Sequence, residues 1–358
     1  MKDKFLGRSL YLLFATCLVA ALAPLAVSAE PMVAAGCTHS LELRSDGTVW
    51  AWGDNNSGLF GDGTYTSSTV PVRVTGLTGV TAVVAAASHS LALKSDGTVW
   101  AWGANSSGQL GNGSVSDSNI PVQVQGLSGV KAIAAGEGHS MALKNDGTVW
   151  AWGINNRGQL GDGTTRSKQT PVQVSGLSGI TAIGAGGSHS LAVKNDGTVW
   201  TWGRNNRGQL GNGVATGTDT PVNVPVQVLG LTGATAVCGG SYNSLALKND
   251  GTVWAWGFNS LGQLGNGTGD DSNVPVQVPG LTNVTAISAE DQHVLALKND
   301  GTVWAWGRNL YGQLGDGTTT DSNVPVQVSG LTGAKVIAAG WSHSLALKSD
   351  GTVWSAGK

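Results

Sequence analysis

The sequence predicts an all-β protein, a seven-bladed β-propeller of repeats about 50 residues long whose seventh blade lacks its outer strand. Three observations predict it. The motif Gly-Thr-Val-Trp begins at Gly47, Gly97, Gly147, Gly197, Gly251, Gly301 and Gly351, at intervals of 50, 50, 50, 54, 50 and 50 residues. Each copy is preceded by an Asp-Gly turn between two apolar runs, the signal of a β-hairpin. Both strands of each hairpin are apolar on both faces, as a sheet covered on two sides must be.

Residues 86–103 show how one unit is built. In the third strand Trp100 and Trp102 lie two apart and share a face, with Val99 and Ala101 on the other. In the second strand Leu91 and Leu93 share a face and Ala92 lies opposite. Large against small is how neighbouring blades fill the space between them. A first, innermost strand precedes the hairpin, as in Val80 to Ala85. A fourth follows a loop, as in Pro121-Val122-Gln123-Val124, where proline suits an outer edge. Outside the first thirty residues no segment has helical periodicity. There are seven hairpins but six Pro-Val-x-Val strands, at Pro71, Pro121, Pro171, Pro225, Pro275 and Pro325. The seventh blade is therefore expected to have three strands and an edge open to a partner.

Residues 1–29 read as a secretory signal and residues 30–358 as the propeller. Lys2, Lys4 and Arg8 make a positive start, Leu10 to Val27 is apolar, and Val27-Ser28-Ala29 offers small residues for cleavage after Ala29. Removing that segment takes away three cations and one anion, so a net charge of −2 becomes about −4. Charged residues make up 12% of the chain, too few for disorder, and no basic stripe is present for nucleic acid. Cys37 and Cys238 fall in different repeats at different positions, so they are expected unbridged.

The string Gly153-Ile154-Asn155-Asn156-Arg157-Gly158-Gln159-Leu160-Gly161-Asp162-Gly163, preceded by His139-Ser140-Met141-Ala142-Leu143, resembles the repeat of the regulator of chromosome condensation family. It recurs over residues 103–113, 203–213, 257–267 and 307–317, and more weakly over 53–63. The resemblance covers residues 32–357 and points to a secreted bacterial member of that family. It implies a seven-bladed propeller, in agreement with the seven hairpins.

Two features invite chemistry. His39, His89, His139, His189, His293 and His343 share one repeat position, with Asn243 in the fifth copy. Equivalent residues of neighbouring blades stand too far apart for metal–nitrogen bonds of ~2.1 Å, so each His is expected to hydrogen-bond at its own turn between first and second strand. The Gly-Gln-Leu-Gly-x-Gly loops lie between two strands rather than before a helix, so they form tight turns and do not cradle phosphate. Thirteen Trp of the third strands are expected in the core, with Trp341 apart at a turn. No catalytic motif appears, so no enzyme activity, cofactor or metal is expected.

Comparing the copies with one another locates a binding face. The turn between first and second strand (the inner turn) and the loop between third and fourth (the outer loop) lie at one end of each blade. That end varies, while the opposite end repeats Asp-Gly and Gly-Leu-Thr-Gly. Variable loops on a rigid scaffold carry binding. The candidate residues in blades three to seven are Arg157, Arg204, Arg207, Tyr242, Phe258, Leu261, Arg308, Leu310, Tyr311 and Trp341, a basic arc beside an aromatic one. The expected function is a secreted, periplasmic or cell-surface scaffold that binds a protein partner. It is expected to be a monomer without nucleic-acid or stable membrane contacts. The resemblance supplies one alternative, guanine-nucleotide exchange on a small GTPase, but the longest insertion is four residues, around Val214–Val224. A second is inhibition of a secreted enzyme such as a β-lactamase, as in propellers with similar His-Ser-Leu-Ala-Leu repeats.

Overall fold

The computed structural model describes residues 29–215 and 220–358. The signal expected over residues 1–29 lies outside these except for Ala29, as does the middle of the insertion after Val214. Twenty-seven strands and no helix are found among the described residues. They form seven antiparallel sheets, and in the first six the four strands pair in chain order. Blade one comprises Met32–Ala35, His39–Leu43, Val49–Gly53 and Ser68–Arg73. Blade seven has three strands, Ala334–Ala339, His343–Lys348 and Val353–Gly357. Its innermost strand packs on that of blade one and closes the ring.

The turn between second and third strand is set by local chemistry. Asp96 Oδ1 accepts from the amide and hydroxyl of Thr98 at 3.0 and 2.6 Å, and Gly97 supplies the left-handed φ of 76°. The register then pairs Ala92 with Trp100 and Ser90 with Trp102 on one face, and Leu91 with Ala101 on the other. Within the outer loop a buried Asn does the organising. Asn105 Oδ1 accepts from the Leu110 amide, and Nδ2 donates to the carbonyls of Ser114 and Ser116. Asn55, Asn155, Asn205, Asn259 and Asn309 accept in the same way from the residue five places on.

In blades two to six the two Trp of the third strand differ in depth, and Trp50, Trp52 and Trp354 are all half-buried, which corrects the expectation that all thirteen are core. Trp102, Trp152, Trp202, Trp256 and Trp306 are fully buried. Trp50, Trp100, Trp150, Trp200, Trp254 and Trp304 are half-buried, each under an Arg44 or Lys side chain 4.2–5.8 Å from its ring. The aliphatic stem of the cation covers the ring and its charge stays in water. Each buried Trp instead plugs the seam to the preceding blade. Trp152 Nε1 donates to the Gln109 carbonyl at 2.8 Å, and the pattern holds for Trp102, Trp202, Trp256 and Trp306. The indole lies so close to Gly111 that a Cβ there would stand 2.7 Å from Nε1, so this loop position admits glycine alone.

Candidate functional site

The six His side chains face the seams, and this corrects the expectation of a bond at each one's own turn. His39 Nε2 lies 2.9 Å from Ser90 Oγ of the next blade, and the bond repeats for His89–Ser140, His139–Ser190, His189–Ser244, His293–Ser344 and His343–Ser40. Ser90, Ser140, Ser190, Ser244 and Ser344 donate onward to a carbonyl of the preceding blade's outer loop. Their hydroxyls therefore accept from imidazole, which assigns the proton to Nε2. Burial holds His39, His89, His189 and His293 down at about 3 and His139 at about 4, so the rings are neutral. Cys37 and Cys238 form no disulfide, as expected.

At the variable end the candidate residues gather into three groups. The first spans blades four and five: the Arg204 guanidinium lies 4.9 Å over the Tyr242 ring and donates to its hydroxyl at 3.2 Å. Tyr242 meets Phe258 edge-on with centroids 6.2 Å apart, and Arg207 covers Phe258 at 5.0 Å. The second is a shallow depression of 690 Å³ whose walls include Leu261, Arg308 and Leu310. The third is a groove of 670 Å³ between blades seven and one, reached by Arg308, Tyr311 and Trp341. Arg308 thus stands between two hollows. Arg157 is half-buried in the outer loop of blade three, its amide held by Gln159 Oε1. The expected basic arc is less cationic than it reads in sequence. Arg207 pairs with Asp271 at 3.5 Å, Lys168 with Asp162 at 3.4 Å, and Arg308 lies 3.9 Å from Asp291.

The decisive comparison follows from the repeat itself. The family model for the RCC1-like domain matches residues 21–289, and models for the regulator of chromosome condensation (RCC1) repeat match residues 284–313 and 300–347. The chain belongs to the RCC1-like family. Among solved structures, this RCC1-like chain is similar to human WBSCR16 at 27% identity and a TM-score of 0.78, over 93% of this chain and 88% of that one. It shares the fold of yeast RCC1 (Prp20), solved bound to Kap60, at 22% identity and a TM-score of 0.78, over 100% of this chain and 85% of the other. Prp20p of Saccharomyces cerevisiae, described with its binding properties to Gsp1p and histones, matches at 24% identity and 0.77, over 92% and 82%.

At this end of the RCC1-like ring Glu290 and Asp291 stand out in sequence as departures of the inner turn, but their meeting with Glu137 and Ser241 does not. Ser241 of blade five donates to Glu137 of blade three at 3.1 Å, a contact that skips a blade and so points inward, toward the axis. Glu290 of blade six joins them: its carboxyl is pushed up to about 8, first by burial and then by Glu137 and Asp291. The same three carboxyls add to the burial that raises the Cys37 thiol. Asp291, raised mainly by burial, adopts a φ of 42° in a tightened turn. A signal existed: Glu290 stands where the other copies carry Gly36, Ala86, Gly136, Gly186, Gly240 and Gly340.

Proposed function

We propose that this RCC1-like chain is an exported, non-enzymatic scaffold that binds a protein partner through the inner-turn and outer-loop end of blades three to seven. One observation carries the reading. Leu310, Tyr311 and Trp341 are 56%, 43% and 46% exposed, around Arg308, at positions where other copies place residues as different as Ser57, Arg157 and Leu261 or Ala87, Glu137 and Gly187. The repeat folds without them at those positions in other copies, and exposed aromatic and Arg side chains are the residues enriched at interface hot spots. The histidines, the groups best suited to acid–base work, are committed to the seams as neutral donors. Nucleotide exchange is not part of the proposal, since the longest departure from the repeat is four residues. Protein binding also agrees with the yeast propellers of this fold, one of them solved with Kap60.

A photoreactive side chain placed at Leu310 tests the face against the same group at Thr78, on the opposite end. Partner crosslinks from position 310 and none from position 78 are expected. Crosslinks from 78 alone would place the interface on the wrong end.

A further inference from the structure

We propose that the inner turns of blades three, five and six form a socket, toward the axis of the ring, for a primary alkylammonium group. Its source is a lysine side chain of a partner or a free aliphatic amine. The carboxyls that define the socket take no part in the protein-binding face around Leu310, so this inference goes beyond that face.

The second residue of the inner turn differs in all seven blades, from Cys37 to Trp341. At this position blades three, five and six carry Glu137, Ser241 and Asp291, and Glu290 adds a carboxyl beside Asp291. Backbone bonds join these turns into one arc. The Glu137 amide donates to the Gly187 carbonyl, Gly187 to Gly240, and Ser241 to Asp291, at 3.2–3.3 Å. Blade four has glycine at the shared position, and that is what lets the acid of blade three cross. A Cβ on Gly187 would stand 2.6 Å from Glu137 Oε1. Over this glycine the Glu137 carboxyl reaches the Ser241 hydroxyl at 3.1 Å.

Donors and acceptors do not balance here. Ionised carboxyls only accept, and a serine hydroxyl has one proton to give. Ser241 gives its proton to Glu137. Asp291 is bonded by the Trp341 side chain and is 7% exposed, yet its Oδ2 is buried with no hydrogen-bond partner. Arg308, 3.9 Å from that oxygen, stands beyond hydrogen-bond reach. Glu290 is acted on by the carboxyls of Glu137 and Asp291 and, with burial, is pushed up to about 8, so at neutral pH it keeps a proton. The Cys37 thiol, the fourth titratable group facing them, is raised by burial and by the same three acids.

A buried carboxylate oxygen without a donor is costly. The group that relieves it must bring positive charge and several donors, and no acceptor. An ammonium has three N–H donors and no lone pair to satisfy. It reaches separate carboxylate oxygens at about 2.8 Å each. A metal ion needs ligands drawn closer, and the acids among the described residues do not converge on such a geometry. Exposure sets the direction of entry. Glu137 is exposed and Glu290 half-buried, whereas Ser241 and Asp291 are buried, so a charged head passes Glu137 and stops at Asp291. Trp341, 46% exposed and tied to Asp291, offers the entering cation an aromatic face.

The test uses the whole chain and n-butylammonium, a mimic of the lysine side chain, followed by the carboxyl carbon resonances of Glu137 and Glu290. Saturable shifts are expected. The Glu290 titration midpoint should fall by about one pH unit or more at saturation, because a bound cation favours the ionised carboxylate. Tetramethylammonium carries the charge without an N–H donor and should bind roughly tenfold more weakly or worse. Glu290→Gln should weaken n-butylammonium by roughly tenfold. Gly187→Ala keeps every charge but displaces the Glu137 carboxyl, and should weaken it roughly 3–10-fold. Putrescine separates the two sources. An affinity like that of n-butylammonium supports a socket for one lysine head, and a gain of roughly tenfold supports a free diamine. Absence of saturable shifts, equal affinity for tetramethylammonium, or binding indifferent to both substitutions overturns the proposal. None of these readouts involves the partner, so failure here leaves the face around Leu310 standing.

Discussion

Asn243 and Val294 occupy the two sides of one seam at the positions where six other seams join His to Ser, so the ring's one missing imidazole and its one missing hydroxyl at these positions coincide. Both residues are buried, and the Asn243 amide nitrogen has no hydrogen-bond partner. Losing one member of a buried pair strands the other, while losing both is far cheaper. The two departures therefore compensate in part, leaving one buried amide donor where His and Ser would leave none stranded at this bond.

Restoring the pair should show that coupling. Asn243→His alone places a buried imidazole N–H against Val294 with no acceptor and should destabilise by about 1–3 kcal/mol. Val294→Ser alone gives the Asn243 amide an acceptor at the cost of apolar packing, so its effect should be the smaller of the two. The double variant should recover at least about 1 kcal/mol relative to the sum of the two, measured by urea unfolding in a double-mutant cycle. Strict additivity would show that the seam does not couple them.

The neutral histidines make the propeller acid-labile in a defined window. Folded His39, His89, His189 and His293 ionise only near 3 and His139 near 4, whereas an unfolded His ionises near ~6.5. Below that pH the unfolded chain binds protons that the folded chain refuses, so stability falls as pH falls from ~6.5 toward 3. Each buried His contributes up to about 1.4 kcal/mol per pH unit to the slope. The histidine contribution to unfolding free energy should be flat above pH 7 and drop steeply below 6. His89→Asn with Ser140→Val, copying the fifth seam, should reduce the slope by about one proton. Imidazole resonances titrating near 6.5 in the folded protein would contradict this.

Glu290 works in the opposite direction. Its folded carboxyl titrates near 8, above its ordinary value, owing to burial and to the Glu137 and Asp291 carboxyls. Between about 4.5 and 8 the unfolded chain has released a proton that the folded chain keeps, so this group lowers stability as pH rises through that window. Glu290→Gln should raise the melting temperature at pH 8 and leave it unchanged at pH 4. A variant less stable at pH 8 would show that the ionised carboxylate has a favourable partner.

How much of this was legible depends on whether a feature repeats. The period fixed the hairpins, and the first strand expected at Val80 to Ala85 is the strand Val80–Ala85. The open seventh blade followed from a missing Pro-Val-x-Val. The His partner was not legible, because a repeat aligns positions within blades and does not say that His39 reaches Ser90 rather than its own turn. Nor does alternation separate Trp100 from Trp102: both lie on one face, and only the sheet shows that the first is shaded by Lys94 and the second by the loop at Leu59. The Arg204–Tyr242–Phe258–Arg207 stack joins three different repeat positions across two blades, with Arg204 and Phe258 at the same one, so it required the assembled ring.

The proposed face predicts a separation of stability from binding. Tyr311 shares its repeat position with Ser57 and Ser107, and Trp341 shares its with Ala87 and Gly187. The backbone at these sites is held by groups that remain after truncation. The amide of residue 311 donates to Gln313 Oε1 at 2.9 Å, and that of residue 341 donates to the Gly36 carbonyl at 3.2 Å. Beyond that, the Tyr311 ring carries the Lys358 amine at 5.4 Å, an exposed contact worth about 0.5–1 kcal/mol, and the Trp341 side chain hydrogen-bonds Asp291. Tyr311→Ser with Trp341→Ala should therefore shift the melting temperature by no more than a few degrees, since 1 kcal/mol moves a domain of this size by roughly 2–4 °C or less. Partner affinity should meanwhile fall by tenfold or more, the loss expected when hot-spot aromatics are truncated. A collapsed melting temperature would make these side chains structural, and an unchanged affinity would move the interface elsewhere on the ring.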